Sequence, residues 1–366
     1  MDNTPPTEPF DDQRNDRRSF LKQVALTSAA VGAAALPARA QEKSPPASAA
    51  DASADQPPIA ETLARFAASL RYEDLPPEVV REAKRYLIDT IGCGLGGFGA
   101  EPSQIANKLA ARVSTTRGAT VMCSGVKTSV DLAVFANGVM IRYLDFNDGY
   151  LGLGGGHPSD TIPPLLSTAE MAGRSGADLI TGTILTYEVF CRVCDVFDNR
   201  AVGLDYATVI GLAAVAGGGR MLGLTLQQME HAIGIYVAGN VALNQTRVGT
   251  LSNWKACAAA EASRKAIFAV ELAQAGMTGP RQVFEGRDGF FNRINRKPFA
   301  LPKLGGEPFG IMRSFTKRFA LGQYSQTVAQ AAVEARSFFS DIGEIAEVNV
   351  RVSRIAIHVM ADSPDK

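Results

Sequence analysis

Two stretches of this chain leave little freedom in how it can fold. Residues 207–221 and 256–275 are built largely from Ala, Gly and aliphatic side chains and contain no proline. Each is far longer than a strand, so each reads as a helix. A helix that is apolar around most of its circumference has to be buried by other helices. Side chains this small let the neighbouring backbones come close. The prediction is a core of tightly packed helices with further helices wrapped around it.

The remaining sequence supplies those helices. Leu63, Phe66, Ala67 and Leu70 recur at helical spacing from Ile59 onward. Leu75-Pro-Pro-Glu78 starts a second helix, carrying Val79, Val80, Ala83, Tyr86, Leu87 and Ile91 and ending in the glycines of 92–99. Further helices are predicted for Pro102 to Val113, Val130 to Tyr143, Ile162 to Ala172 and Ala177 to Phe197. Another is opened by a Thr225 cap. Ala119 to Ser124 reads as a short strand. The character changes at Gly276. Val348, Val350 and Val352, then Ile355, Ile357 and Val359, alternate with other residues as a strand does. The fold class expected is mainly α: a large all-helical domain over 59–275, then a smaller α+β lid domain over 276–366. The chain stops at Ser363-Pro-Asp-Lys366 directly after the strand signal, so the lid is read as C-terminally truncated.

With 366 residues, one large or two domains are expected. Lys+Arg and Asp+Glu are equal at 37, and the first forty residues carry five of each, so the body is neutral as well. Neutrality without a basic run argues against nucleic acid and against a charged membrane surface as partner. Five scattered cysteines do not make a disulfide framework. Cys191-Arg-Val-Cys194 lies deep inside a predicted helix and reads as buried thiols, not as a redox pair at a helix start. No second ligand pair stands at zinc spacing, so no metal is expected. Gly94-Leu-Gly-Gly-Phe-Gly99 fits a dinucleotide fingerprint only in letters. A helix precedes it where a strand is needed, so it reads as a close helix contact.

Asp16-Arg-Arg-Ser-Phe-Leu-Lys22, a short apolar run to Leu36 and Ala38-Arg-Ala40 together read as a twin-arginine export signal over 1–40. A periplasmic location and no stable membrane span follow. Residues 41–58, rich in Ser, Ala, Pro and Asp, read as a disordered linker.

Chemistry concentrates in two polar stretches. Tyr143 to Asp160 sets Asp145, Asp148, His157 and Asp160 on glycine-rich backbone between two apolar helices. Loops on a rigid scaffold are where catalytic groups tend to sit. Plain helix capping is the alternative use of these acids. Asn244 to Ala256 carries Arg247, Lys255 and the only tryptophan, Trp254. A cation at the start of a buried helix is costly unless an anion meets it, which makes Lys255 and Arg247 candidates to bind a substrate carboxylate.

These stretches resemble the MmgE/PrpD family, which includes 2-methylcitrate dehydratase and cis-aconitate decarboxylase. The resemblance rests on Tyr143-Leu-Asp-Phe-Asn-Asp148, His157-Pro-Ser-Asp160, Tyr187-Glu188 with Cys191-Arg192, Gln245-Thr-Arg-Val-Gly249 and Trp254-Lys255. It continues in Gly276-Met-Thr-Gly-Pro280, Phe284-Glu-Gly286 and Ser325-Gln-Thr327. It implies a cofactor-independent hydro-lyase, 2-methylcitrate dehydratase-like, acting on a small hydroxy-di- or tricarboxylate, and a homodimer. Asp145, His157, Lys255 and Lys317 would be catalytic. Arg247, Asp148, Tyr206 and Tyr324 would bind substrate. Gly149, Tyr206 and Tyr324 stand where the family pattern has Thr, His and His. The alternatives are an exported carboxylate-binding homologue with impaired catalysis and a cis-aconitate decarboxylase-like activity.

Overall fold

The computed structural model describes residues 57–360. The signal, most of the linker and Ser363 to Lys366 lie outside the described residues. The helical body runs α1 Ile59–Ser69, α2 Pro77–Gly97, α3 Glu101–Ala110, α4 Val130–Tyr143, α5 Ile162–Ala172, α6 Gly176–Val196, α7 Ala207–Met221, α8 Leu226–Gly239 and α9 Trp254–Gln274. Two short antiparallel hairpins interrupt it: β1 Ala119–Thr120 with β2 Lys127–Thr128, and β3 Tyr150–Leu151 with β4 Gly155–Gly156.

The two small-residue runs are the centre, as their composition demands. α7 is buried along nearly its whole length, and α9 packs against both α7 and α4. Gly138 of α4 faces Ala260 of α9 so closely that a Cβ there would lie 2.7 Å from the alanine methyl. Two helices start with reciprocal capping boxes. Ser175 pairs with Asp178 on α6, and Thr225 with Gln228 on α8.

The glycines of 92–99 do not end α2, which continues to Gly97. Tertiary packing overrides their weak helix propensity, because Gly94 and Gly97 are where α2 meets Met122 and α4. A Cβ on Gly97 would run into the Met140 carbonyl oxygen, which is backbone and cannot swing away. Gly97→Ala is therefore expected to cost about 1–3 kcal/mol. Gly92→Ala, with nothing within 4 Å, is expected to gain about 0.5–1 kcal/mol. Urea titration of the two variants checks the pair.

Cys191 and Cys194 are fully buried on α6, and burial pushes both thiols up, so neither is a thiolate nucleophile. His231, on α8, sets its Nδ1 3.3 Å from both the amide nitrogen and the carbonyl oxygen of Gly279, bonding to one or the other according to its tautomer.

Beyond α9 the chain is largely irregular up to α10, Gln326–Ala335, and α11, Arg354–Met360. It is strapped to α6 by charge. Glu188 accepts from the Gly305 and Gly310 amides at 2.9 and 2.5 Å, while its ion-pair partner Arg192 donates to the Gly306 and Pro308 carbonyls. The strands expected at 348–359 do not form. Residues 345–353 have no regular structure, and 354–360 are helical. Alternation makes a strand only where another strand offers its edge, and among the described residues no sheet reaches this segment. Val348 and Val350 are accordingly exposed, at 73% and 55%. The β component of the expected lid is thus absent from 276–360, apart from an isolated bridge at Phe315.

Candidate active site

The site forms where α4 ends. Asp145 follows the helix in a left-handed conformation, φ 49°, which Asp tolerates better than most residues. The turn releases the chain into the β3–β4 hairpin, which returns it to His157 at the start of α5's lead-in turn.

Three cations converge on the Asp145 carboxylate. Arg142 donates to Oδ1 at 2.9 Å, Lys317 to Oδ1 at 2.7 Å and Lys255 to Oδ2 at 3.2 Å. Lys317 also donates to the Asp145 carbonyl at 2.7 Å. Burial alone raises the Asp145 pKa. Arg142, Lys317 and Lys255 together outweigh it and hold the carboxyl well below the usual range. Burial pulls the Lys317 ammonium down to about 8, Asp145 opposing, and lowers Lys255 as well.

His157 is neutral. Its Nδ1 lies 2.6 Å from the Asp148 carbonyl, which only accepts, so the proton sits on Nδ1. Its Nε2 lone pair meets an Arg142 N–H at 3.1 Å. Burial, then Arg142 and Lys317, hold the imidazole well below its ordinary pKa. Nε2 is 3.7 Å from Asp145 Oδ1.

Arg142 ties these groups to Tyr206 and Asp160. Its Nε donates to the Tyr206 hydroxyl at 2.9 Å, and that hydroxyl donates to Asp160 Oδ2 at 2.8 Å. Asn147 donates to the other Asp160 oxygen and to Ser159. The sequence reading missed Arg142, counting it as part of a buried apolar helix. The signal was present: a permanent cation in Val-Met-Ile-Arg142 needs an anion wherever the helix is buried.

The other predicted residues sort as follows. Asp148 is fully buried, accepting at Oδ1 from the Ser159 amide and hydroxyl, with the Tyr187 hydroxyl beside its carboxylate. Burial pushes its carboxyl up to about 7. Arg247 is held by Asp205 at 2.7 Å, donates to the Lys255 carbonyl at 3.0 Å and covers the Tyr206 ring. These contacts tie it to the start of α9 beside Lys255. Tyr324 lies beside Arg200, 5.9 Å from ring centroid to guanidinium, and joins none of the hydrogen bonds above.

The Asp148 shift makes a sign-definite prediction. Its folded pKa lies above the unfolded value of about 4, so the unfolded state loses this proton first. Stability from this group is intact below pH 4, falls as pH rises toward 7 and is level above. Asp148→Asn should remove that slope, so that the change in stability from pH 5 to pH 8 is more favourable in the variant than in the wild type by on the order of 2–3 kcal/mol. Denaturant midpoints at both pH values measure it.

A cavity of about 110 Å³ opens onto this cluster, lined by Arg142, Tyr143, Asp145, Ser252, Asn253 and Lys255 together with Pro102 and Ala256. A larger one of about 400 Å³ lies next to it across Ser252, between the end of α8 and α9. The charged side chains there, Glu261 and Lys265, pair with each other or with Arg264. Asp145, Arg142 and Lys255 line the smaller cavity, and His157 and Lys317 contact that trio without being part of the lining. Among the described residues no group of three or more His, Cys, Asp or Glu is placed to hold a metal, and no helix is long and apolar enough to cross a membrane.

Comparison with known proteins gives the same direction. Residues 61–301 match the MmgE/PrpD N-terminal domain. The chain is 25% identical over 314 residues to 2-methylcitrate dehydratase of Cupriavidus necator, covering 79% of this chain and 64% of that protein. It is 26% identical over 319 residues to the Escherichia coli K12 protein of the same name, covering 80% and 64%. It is 28% identical over 268 residues to 2-methylcitrate dehydratase-like protein oryR of Aspergillus oryzae, covering 67% and 51%. The chain therefore spans somewhat under two thirds of the length of the bacterial relatives.

Proposed function

The chain belongs to the MmgE/PrpD family, and from that premise we propose that it is a hydro-lyase removing water from a small hydroxy-di- or tricarboxylate. The observation that carries this is the cationic cage around Asp145, with a neutral histidine at its edge. In this structure Asp145 occupies the cations itself. A substrate carboxylate entering the cavity competes for Lys255 and Arg142, the two cations on its wall. When Arg142 turns to the substrate it leaves Nε2 of His157, and that lone pair is then available to take a proton adjacent to a carboxylate. Nδ1 stays fixed on the Asp148 carbonyl, so the ring has one working nitrogen. Lys317, shielded from water and with a lowered pKa, supplies the proton that leaves with the hydroxyl as water, while Lys255 and Arg142 meet the charge that develops on the substrate.

Tyr206 takes no part as a base. Burial raises its hydroxyl pKa far from neutrality, and it holds Arg142 and Asp160 in register instead. A second reading, carboxylate binding without turnover, has one observation in its favour: Arg142 closes Nε2 in this structure. Isothermal calorimetry with citrate-type acids tests the shared premise. Binding that disappears in Lys255→Ala is expected; no binding at millimolar acid would remove both readings. Export by the twin-arginine route to the periplasm and assembly as a homodimer complete the proposal. Cell fractionation of a tagged Arg17→Lys, Arg18→Lys variant and sedimentation of the purified chain test them.

A further inference from the structure

Lys317 is a buried lysine on a surface segment. Its side chain has no exposed area, whereas Arg318 beside it is exposed. Residues 314–322 have no regular structure apart from a single bridge, so neither a helix nor a sheet delivers this ammonium to Asp145.

Two contacts flank it. On the N-terminal side, Gly149 and Phe315 exchange both backbone hydrogen bonds, at 2.8 and 2.9 Å. The Phe315 ring lies over Gly149 where a Cβ would be 2.6 Å from its Cζ. Gly149 follows Asp148 directly, so this pairing joins the lysine segment to the strand leaving the site. On the C-terminal side, the Gln326 amide is fully used. Oε1 accepts from the Arg318 and Phe319 amides at 3.0 and 3.1 Å, and Nε2 donates to the Phe319 and Leu321 carbonyls at 2.9 and 3.1 Å. Two acceptances and two donations fix the amide in one orientation. They gather the turn that immediately follows Lys317.

We propose that Gln326 and the Gly149–Phe315 pairing are positioning residues for Lys317, a two-point clasp that presses its ammonium onto Asp145. None of the three needs to touch substrate. The inference rests on Lys317 belonging to the proposed site, but not on the reaction performed there.

Competitive acetylation of lysines, read by mass spectrometry across pH on the whole chain, tests it without substrate. In the wild type Lys317 should react at least about tenfold more slowly than Lys108, an exposed lysine on α3. Its labelling midpoint should lie near pH 8, where burial places it. In Gln326→Ala and in Gly149→Ala the Lys317 rate should rise at least about fivefold, with Lys108 unchanged and the midpoint moving up toward an ordinary lysine. Gln326→Glu, which keeps both acceptances and loses both donations, replaces any variant whose circular dichroism departs from wild type. Unchanged Lys317 labelling in folded variants at both ends of the clasp overturns the proposal, and leaves the hydro-lyase reading standing or falling on its own test.

Discussion

Arg142→Met is expected to destabilise the protein by about 3–5 kcal/mol. The side chain is 3% exposed and serves three partners at once, on Asp145, Tyr206 and His157. Methionine fills much of the space but donates nothing. Asp160, 3% exposed and 3.9 Å from the guanidinium, loses the nearest cation, and burial then works against its charge unopposed from that side. Uncompensated buried charge is what makes removal of one partner expensive. Arg142→Lys should recover only part of the loss, since one ammonium cannot span the fork geometry that the three partners require. Adding Asp160→Asn to Arg142→Met should return on the order of 1–3 kcal/mol, because the two residues share one network. Urea midpoints of the two single variants and the double variant measure this coupling.

His157→Gln is expected to lower turnover by about 10²–10⁴ while leaving carboxylate binding nearly intact, because in the proposed reaction the imidazole transfers the proton and the cations bind the substrate. The same variant carries a stability signature. The folded imidazole resists protonation and the unfolded one does not. Below the unfolded pKa of about 6.5 the unfolded state therefore binds a proton the native state refuses, and stability is lost as pH falls through that region. Glutamine removes this acid-side loss. Relative to wild type, the variant is expected to gain stability as pH falls from 7 to 5, a difference between paired titrations in which the opposing Asp148 contribution cancels.

Much of the helical body was legible because burial writes itself into composition. The bounds of α4 and α7 fall where the apolar runs begin and end. The glycines at the end of α2 misled because propensity is local and the contact with Met140 is not. The alternation at 348–359 misled for a related reason: a strand is a property of two segments, and periodicity reports only one. In the site, Asp145, His157, Lys255 and Lys317 come together over separations as large as that between Asp145 and Lys317, |i−j| of 172. Spacing carries no trace of such a contact, and the resemblance supplied Lys317. Arg142 was missed for the opposite reason. It sits three residues from Asp145, inside a pattern that reads as core, and its cost is visible only once that helix is known to be buried.

The central claim is that this cage removes water from a hydroxy-carboxylate. Mass spectrometry of the products formed from a panel of hydroxy-di- and tricarboxylic acids tests it most directly. The account predicts an unsaturated acid lighter by one water from at least one member, lost with His157→Gln and with Lys255→Ala. Acids that bind the wild-type protein yet return unchanged, or return having lost carbon dioxide instead of water, would contradict it.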